Sequence, residues 1–351
     1  MKFQRHILRD VQGYVPGEQP RESDIIKLNT NENPYPPSPR IFEALQALNG
    51  DAFRKYPDPV SLRFRRALAE RYGYPDESWV IVGNGMDELL ALVLRTFVDP
   101  GDTVLATDPT YSLYEILCKL HDCRLEYVAL DEHYQLSPAF FSAQGRLCFL
   151  TRPNAPSGVA VPKAEVARFC TGFDGIVVID EAYVDFAEDN CLEFARDHDN
   201  VIVMRTFSKS FSLAGMRIGT AVARPELIAE FLKTKDSYNM NVVSQAIGLA
   251  AINDYDHMLE NVAKVKASRT RLRDALLELG FKVPESQSNF LLAEWRGTPD
   301  AQTIFEALKR DKILVRYFKM PRLEHSLRIT VGTDAECAAF VQALKRILHK
   351  E

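Results

Sequence analysis

At 351 residues, 26 % charged and 46 % hydrophobic, with a formal net charge of −5, the chain is long enough to bury a large core, as one large unit plus a smaller one. The mild acidity and the lack of a basic block argue against nucleic acid as a partner, and the longest apolar runs are far too short to span a bilayer. Six cysteines without a C-x-x-C pair and seven histidines without H-E-x-x-H predict reduced thiols, a cytoplasmic setting and no metal site.

The first stretch, "MKFQRHILRDVQGYVPG", is charged throughout and lacks the apolar core of a signal peptide. Residues 1–40 are rich in Pro, Asn and Gly and predict an irregular arm. From about 79, short β-branched runs recur at 79–83, 103–107, 125–130, 146–151, 175–180, 201–207 and 218–223. Most are continuously apolar, the sign of strands buried on both faces. Helix-like stretches lie between several of them, at 86–98 and 112–122 for example. The alternation predicts an α/β unit over 41–235, with a mostly parallel seven-stranded sheet covered by helices. After about 236 the rhythm changes. A long amphipathic helix over 257–280 precedes strands at 289–295, 313–318 and 326–333 and a last helix over 334–350. This predicts a smaller α+β unit over 236–351.

In such folds ligands gather at the carboxyl ends of the strands. "VGNGMDELL" (83–90) is a glycine turn that opens a helix, and the amides of Gly85, Met86 and Asp87 could cradle a phosphate. An ordinary strand–helix turn reads the same way, and Glu88 stands where a dinucleotide fingerprint needs glycine. "DPTYSLY" (108–114) offers Tyr111 as a stacking platform or as a half-buried loop aromatic. "TRPNAPSG" (151–158) is a turn made rigid by two prolines. In "VVIDEAYVDF" (177–186) Asp180 ends a buried strand, where a carboxylate is costly unless it meets a cationic ligand or a structural partner. "MRTFSKSFSLAGMRIG" (204–219) brings Thr206, Ser208, Lys209 and Arg217 into one loop.

Each motif alone has a bland explanation. Together they fit one ligand: a planar ring whose nitrogen wants a carboxylate, with a phenolic oxygen, a phosphate and an aldehyde. That ligand is pyridoxal phosphate. Lys209 would form a Schiff base with the aldehyde, and Asp180 would keep the ring nitrogen protonated. Tyr183 would bond the phenolic oxygen and Tyr111 would stack on the ring. Ser208, Arg217 and the amides at 85–87 would hold the phosphate, with Thr206 beside them.

The order of motifs resembles the fold-type I pyridoxal-phosphate aminotransferases over nearly the whole chain, and within them their histidinol-phosphate branch. The residues that carry the resemblance are "LNTNENPYPPSP", "YPDP" (56–59), "GNGMDE", "DPTYSLY", "IDEAYVDF", "RTFSKSFSLAGMRIG" and "LRITVGT" (327–333). The resemblance implies that Lys209 anchors the cofactor and shuttles protons, with Asp180 and Tyr183 as its catalytic neighbours. It implies a homodimer in which Tyr56 reaches the neighbouring subunit's cofactor phosphate. It assigns Arg328 to the glutamate carboxylate and the substrate phosphate. Arg316 and Tyr14 are further phosphate ligands, and Asn31 stands at the substrate end. One position departs from the pattern. The family turn is P-N-N-P-T-G and its second Asn bonds the cofactor's phenolic oxygen, whereas this chain has Ala155 there. Either Tyr183 carries that bond alone or Asn154 reaches it in a shifted turn.

The implied activity exchanges an amino group between histidinol phosphate and glutamate. Rivals are an aromatic amino-acid aminotransferase, a threonine-phosphate decarboxylase and a cofactor-binding regulatory protein without turnover.

Overall fold

The computed structural model describes residues 3–11, 13–14, 17–20, 22 and 24–349. Its first strand, β1 (Ile26–Lys27), lies inside the stretch expected to be irregular, and its partner comes from the far end of the chain.

Each of the seven apolar runs forms a strand within one residue of its expected ends. They are β2 (Val80–Asn84), β3 (Thr103–Asp108), β4 (Arg124–Ala129), β5 (Leu147–Thr151), β6 (Ile176–Asp180), β7 (Val201–Thr206) and β8 (Ile218–Val222). They make one sheet in the order β2-β8-β7-β6-β5-β3-β4. Neighbours from β7 to β4 run parallel, and β8 is antiparallel to both β2 and β7.

The continuous hydrophobicity of the central strands has a simple cause. Side chains alternate between faces, and both faces are covered. Cys148, Leu150, Val177, Ile179, Val201 and Val203 enter one core. Leu147, Phe149, Val178, Ile202 and Met204 enter the other, where they meet Leu89, Leu90 and Val93 of the helix Met86–Phe97. Each such side chain contributes about 1.5–3 kcal/mol of burial.

The small sheet holds β9 (Phe290–Glu294), β11 (Arg316–Tyr317) and β12 (Ser326–Thr330), antiparallel in the order β11-β12-β9. The single strand expected over 313–318 is in fact two. β10 (Ile313–Leu314) pairs parallel with β1, and β11 pairs with β12, so one apolar run serves two sheets. The long helix spans Tyr255–Glu278. The helix Val242–Asn253, which the sequence pattern does not mark, packs against the helices Arg40–Gln46 and Leu62–Tyr72. The last helix, Asp334–Ile347, starts with a reciprocal cap between Thr333 and Glu336.

The six cysteines are buried free thiols. Among the described residues no helix is long and apolar enough to cross a membrane.

Candidate active site

The parallel run sends the carboxyl ends of β3, β5, β6 and β7 to one edge of the sheet. Asp108, Thr151, Asp180 and Thr206 end there. The antiparallel strand β8 begins at that edge, since Gly219 pairs with Thr206. Arg217 therefore arrives beside the loop of Ser208 and Lys209. A cavity of about 450 Å³ opens here.

Lys209 puts Nζ 3.3 Å from the carbonyl of Thr30 and 5.8 Å from the ring centre of Tyr183. Its loop is fixed from outside: Asn33 Nδ2 donates to the carbonyls of Lys209 and Ser210, at 3.1 Å each, and the Ser210 hydroxyl bonds Asp185. Burial, aided by the Arg328 charge, pulls the Lys209 pKa down from 10.5 to about 8. A useful share of the amine is therefore neutral near physiological pH.

Asp180 is buried at the floor. Tyr114 Oη donates to its Oδ2 at 2.5 Å and the Ala182 amide to its Oδ1 at 3.0 Å. Burial pushes its carboxyl up from 3.8 to about 6, against those hydrogen bonds. A cation in the cavity would draw it back to the charged form. Tyr114 stands three residues after Tyr111 in the same motif. The sequence motif singles out Tyr111, and the second tyrosine three residues on is the local signal for Tyr114.

The other end of the cavity is built for an anion. The helix Met86–Phe97 presents its N-terminus, and its preceding residue Gly85 has φ 88°. A Cβ on Gly85 would lie 2.6 Å from Arg217 Nη2, so only glycine leaves the guanidinium its place. Arg217 reaches Ser208 Oγ at 3.5 Å and Asp87 Oδ2 at 3.0 Å, and the Thr206 and Ser208 hydroxyls are 3.0 Å apart. Tyr111 Oη points at Asp87 Oδ1, at 3.4 Å, and the Tyr14 ring stands edge-on to Tyr111 at 6.0 Å.

Across the cavity, β11 and β12 place Arg316 directly opposite Arg328, and both line its wall. Two like charges in cross-strand register repel each other unless an anion joins them. Arg328 donates to the Asn29 carbonyl at 3.1 Å, while its buried Nε makes no hydrogen bond within the described chain.

Asn154 lies outside the site, and Tyr56, expected to serve the neighbouring subunit, lies outside this chain's own cavity. Asn154 does not face the cavity. Its Nδ2 donates to the Pro109 carbonyl at 3.0 Å and its Oδ1 accepts from the Ser157 hydroxyl at 2.7 Å, so it is consumed in holding the turn. Tyr56 is 80 % exposed, stacked on Tyr238 at 4.4 Å, and takes no part in this chain's own cavity. Asn31 is present, but its amide bonds Tyr183 at 2.9 Å.

Arg322 carries no signal in the sequence. It donates to the carbonyls of Asp108 and Asp131, at 2.8 and 2.9 Å, and so ties the segment of Phe318, Met320 and Leu323 over the cavity. No local pattern could reveal it, because the carbonyls lie some two hundred residues away.

The residues fit pyridoxal phosphate. A carboxylate at the floor, an amine of lowered pKa, a phenol and an arginine at a helix N-terminus match its ring nitrogen, aldehyde, ring oxygen and phosphate in turn.

The aminotransferase class I and II family matches residues 23–344. Histidinol-phosphate aminotransferase 1 of Nostoc sp. is 45 % identical over 338 residues, 96 % of this chain and 95 % of that protein. Histidinol-phosphate aminotransferase of Geotalea daltonii is 43 % identical over 346 residues, 98 % of this chain and 99 % of that protein. Histidinol-phosphate aminotransferase of Sinorhizobium meliloti, solved in complex with pyridoxal-5'-phosphate, superposes with a TM-score of 0.85 at 27 % identity, covering 92 % of this chain and 90 % of that one.

Proposed function

The chain belongs to the class I and II aminotransferases, and from that membership and the cavity we infer that it exchanges an amino group between histidinol phosphate and 2-oxoglutarate. It is a pyridoxal-phosphate-dependent transaminase of histidine biosynthesis. The observation that carries the substrate assignment is the register of Arg316 opposite Arg328 in the cavity wall. A lone guanidinium suffices for a carboxylate, whereas a phosphate dianion matches two.

When bound, pyridoxal phosphate supplies the electron sink for bond breaking at the amino-bearing carbon. The chain's residues would act around it as follows. Asp180 holds the proton on the ring nitrogen. Arg217, Ser208, Thr206 and the amides at 85–87 grip the phosphate, and Tyr111 lies against the ring. Lys209 anchors the cofactor. Its Nζ also takes the proton from the substrate carbon and later returns it, which suits a pKa near 8. Arg328 orients glutamate by its carboxylate and histidinol phosphate by its phosphate, and Arg316 adds the second charge for the latter. Tyr14, from the arm, stands edge-on to Tyr111 in the same cavity and would be a further ligand of the substrate phosphate.

The same reading includes a homodimer. Phe42, Phe53 and Tyr56 are 54, 59 and 80 % exposed on the isolated chain. Apolar side chains this bare support a partner surface, with Tyr56 extending to the other subunit's cofactor. Six reduced thiols and a biosynthetic reaction support a cytoplasmic setting.

The test is single-turnover bleaching of the cofactor's visible absorbance with one amino donor at a time. Histidinol phosphate and glutamate should each bleach it. A protein that responds to phenylalanine better than to histidinol phosphate would overturn the substrate assignment.

A further inference from the structure

Among the described residues the Tyr183 hydroxyl has one hydrogen-bond partner, and its ring has an apolar wall. Ala155, Ala182 and Phe290 pack around it, with Phe290 edge-on at 4.9 Å. The turn 151–158 therefore offers Tyr183 no side-chain donor at Ala155. The hydrogen-bond partner comes from the opposite side. Asn31 Nδ2 lies 2.9 Å from Tyr183 Oη, and both residues are buried.

Asn31 is held unusually firmly. Its φ is 57°, in the left-handed region that glycine and asparagine enter at least cost. Its N–H donates to Thr330 Oγ1 at 2.9 Å, and its carbonyl accepts from Asn289 Nδ2 at 2.9 Å. Its Oδ1 lies 3.1 Å from the Thr330 hydroxyl. These contacts set the direction of every bond. A backbone N–H can only donate, so Thr330 Oγ1 accepts from it. The single Thr330 proton then goes to Asn31 Oδ1. What remains to face Tyr183 is the Nδ2–H group. The phenol oxygen accepts that bond, and its own proton is turned away from Asn31 into the cavity.

We propose that Asn31 is a positioning residue for the reaction: it commits the Tyr183 hydroxyl to donate into the cavity, toward the ring oxygen of the cofactor. This rests on the pyridoxal phosphate reading of the cavity. The neighbouring Thr30 carbonyl accepts from Lys209 Nζ, so adjacent residues of the arm hold the lysine and the tyrosine together. A donor aimed at the ring oxygen favours its ionised form and lowers the pH at which the bound cofactor titrates. The other charged groups facing Tyr183 are Arg328, Asp180 and Asp87, with Lys209 above its ring. The variants below leave all four in place.

Asn31→Gly keeps the left-handed backbone and removes the amide. Asn31→Asp keeps backbone and shape but turns the donor into an acceptor, which draws the Tyr183 proton out of the cavity. The readout is the pH midpoint of visible absorbance of each protein loaded with pyridoxal phosphate, with cofactor dissociation measured by equilibrium dialysis. The midpoint should rise by about one unit in Asn31→Gly and by more in Asn31→Asp, with dissociation about tenfold stronger. Tyr183→Phe should raise it similarly, and adding Asn31→Gly to Tyr183→Phe should raise it no further. An unchanged midpoint in Asn31→Gly overturns the proposal, as does an Asn31→Asp protein that titrates like the parent, which would put the amide oxygen toward Tyr183. A parent protein that gains no visible band with pyridoxal phosphate removes the cofactor reading itself, and this inference with it.

Discussion

Lys209 and Asp180 keep ionisable groups inside the cavity, and both leave a mark on stability. The folded pKa of Lys209, about 8, lies below the ordinary 10.5. The folded state thus binds fewer protons than the unfolded one between those values, and the charged amine costs stability below about 8. The full penalty near neutral pH is on the order of 3 kcal/mol. Lys209→Met should abolish transamination yet stabilise the cofactor-free protein by about 1–3 kcal/mol near neutral pH. Urea denaturation at rising pH should show that gain shrinking as the parent's lysine loses its proton. A gain independent of pH would assign it to packing. Asp180 is displaced in the opposite direction, from 3.8 to about 6. The folded state holds its proton longer, so stability falls as pH climbs through that window. Asp180→Asn should remove this slope, fold normally and bind cofactor, and lose roughly a hundredfold or more in rate. Activity per folded molecule left intact would make Asp180 a structural residue only.

At the scale of elements, two turns of sequence logic set what the site can hold. The pairing of β11 with β12 fixes Arg316 opposite Arg328, while Leu327 and Ile329 go to the core. Replacing Arg316 with Ala should weaken histidinol phosphate by about 1.5–3 kcal/mol and glutamate by less. Replacing Arg328 should harm both half-reactions. Single-turnover measurements with each donor separate the two, and equal losses in Arg316→Ala would remove the argument from phosphate. The second element is the start of the helix Met86–Phe97. Gly85→Ala must place a Cβ at φ 88° and against Arg217. Cofactor dissociation, followed by dialysis, should rise about tenfold or more, in line with a displaced charge-assisted hydrogen bond. An alanine variant with parental affinity would show that Arg217 has room to move.

At the scale of the whole molecule, the arm, the large sheet and the small sheet all supply walls of one cavity, and in the proposed homodimer the exposed Phe42, Phe53 and Tyr56 would face a second copy. Shared sites give a specific expectation. Mixing Lys209→Ala with Tyr56→Phe should restore activity, to about a quarter of the parent when subunits assort at random and one site per hybrid is intact. Sedimentation at assay concentration should show the dimer. A fully active monomer, or mixing without any recovery, would end the shared-site reading.

Much of this was legible in the residues themselves. Seven apolar runs became seven strands because burial on both faces demands continuous hydrophobicity, which is a local property. Lys209, Asp180, Tyr183 and Arg217 could be found because each follows or precedes a strand at the same sheet edge. Other features depend on distant segments meeting, and no window of sequence contains both partners. The run at 313–318 reads as one strand, yet Leu28 and Ile26 of the arm claim its first half. Asn154 and Asn31 are both plausible partners for a phenol. Only the folded chain shows that the Pro109 carbonyl and Ser157 engage the first. Thr330, about three hundred residues from Asn31, turns the second toward Tyr183. Sequence by itself determined the fold class and the cofactor, and singled out the candidate residues at the strand ends, because strand-end motifs are local. Tertiary structure decided which hydrogen-bond donors remain free to use it, because a buried donor binds whatever acceptor the packing brings within reach.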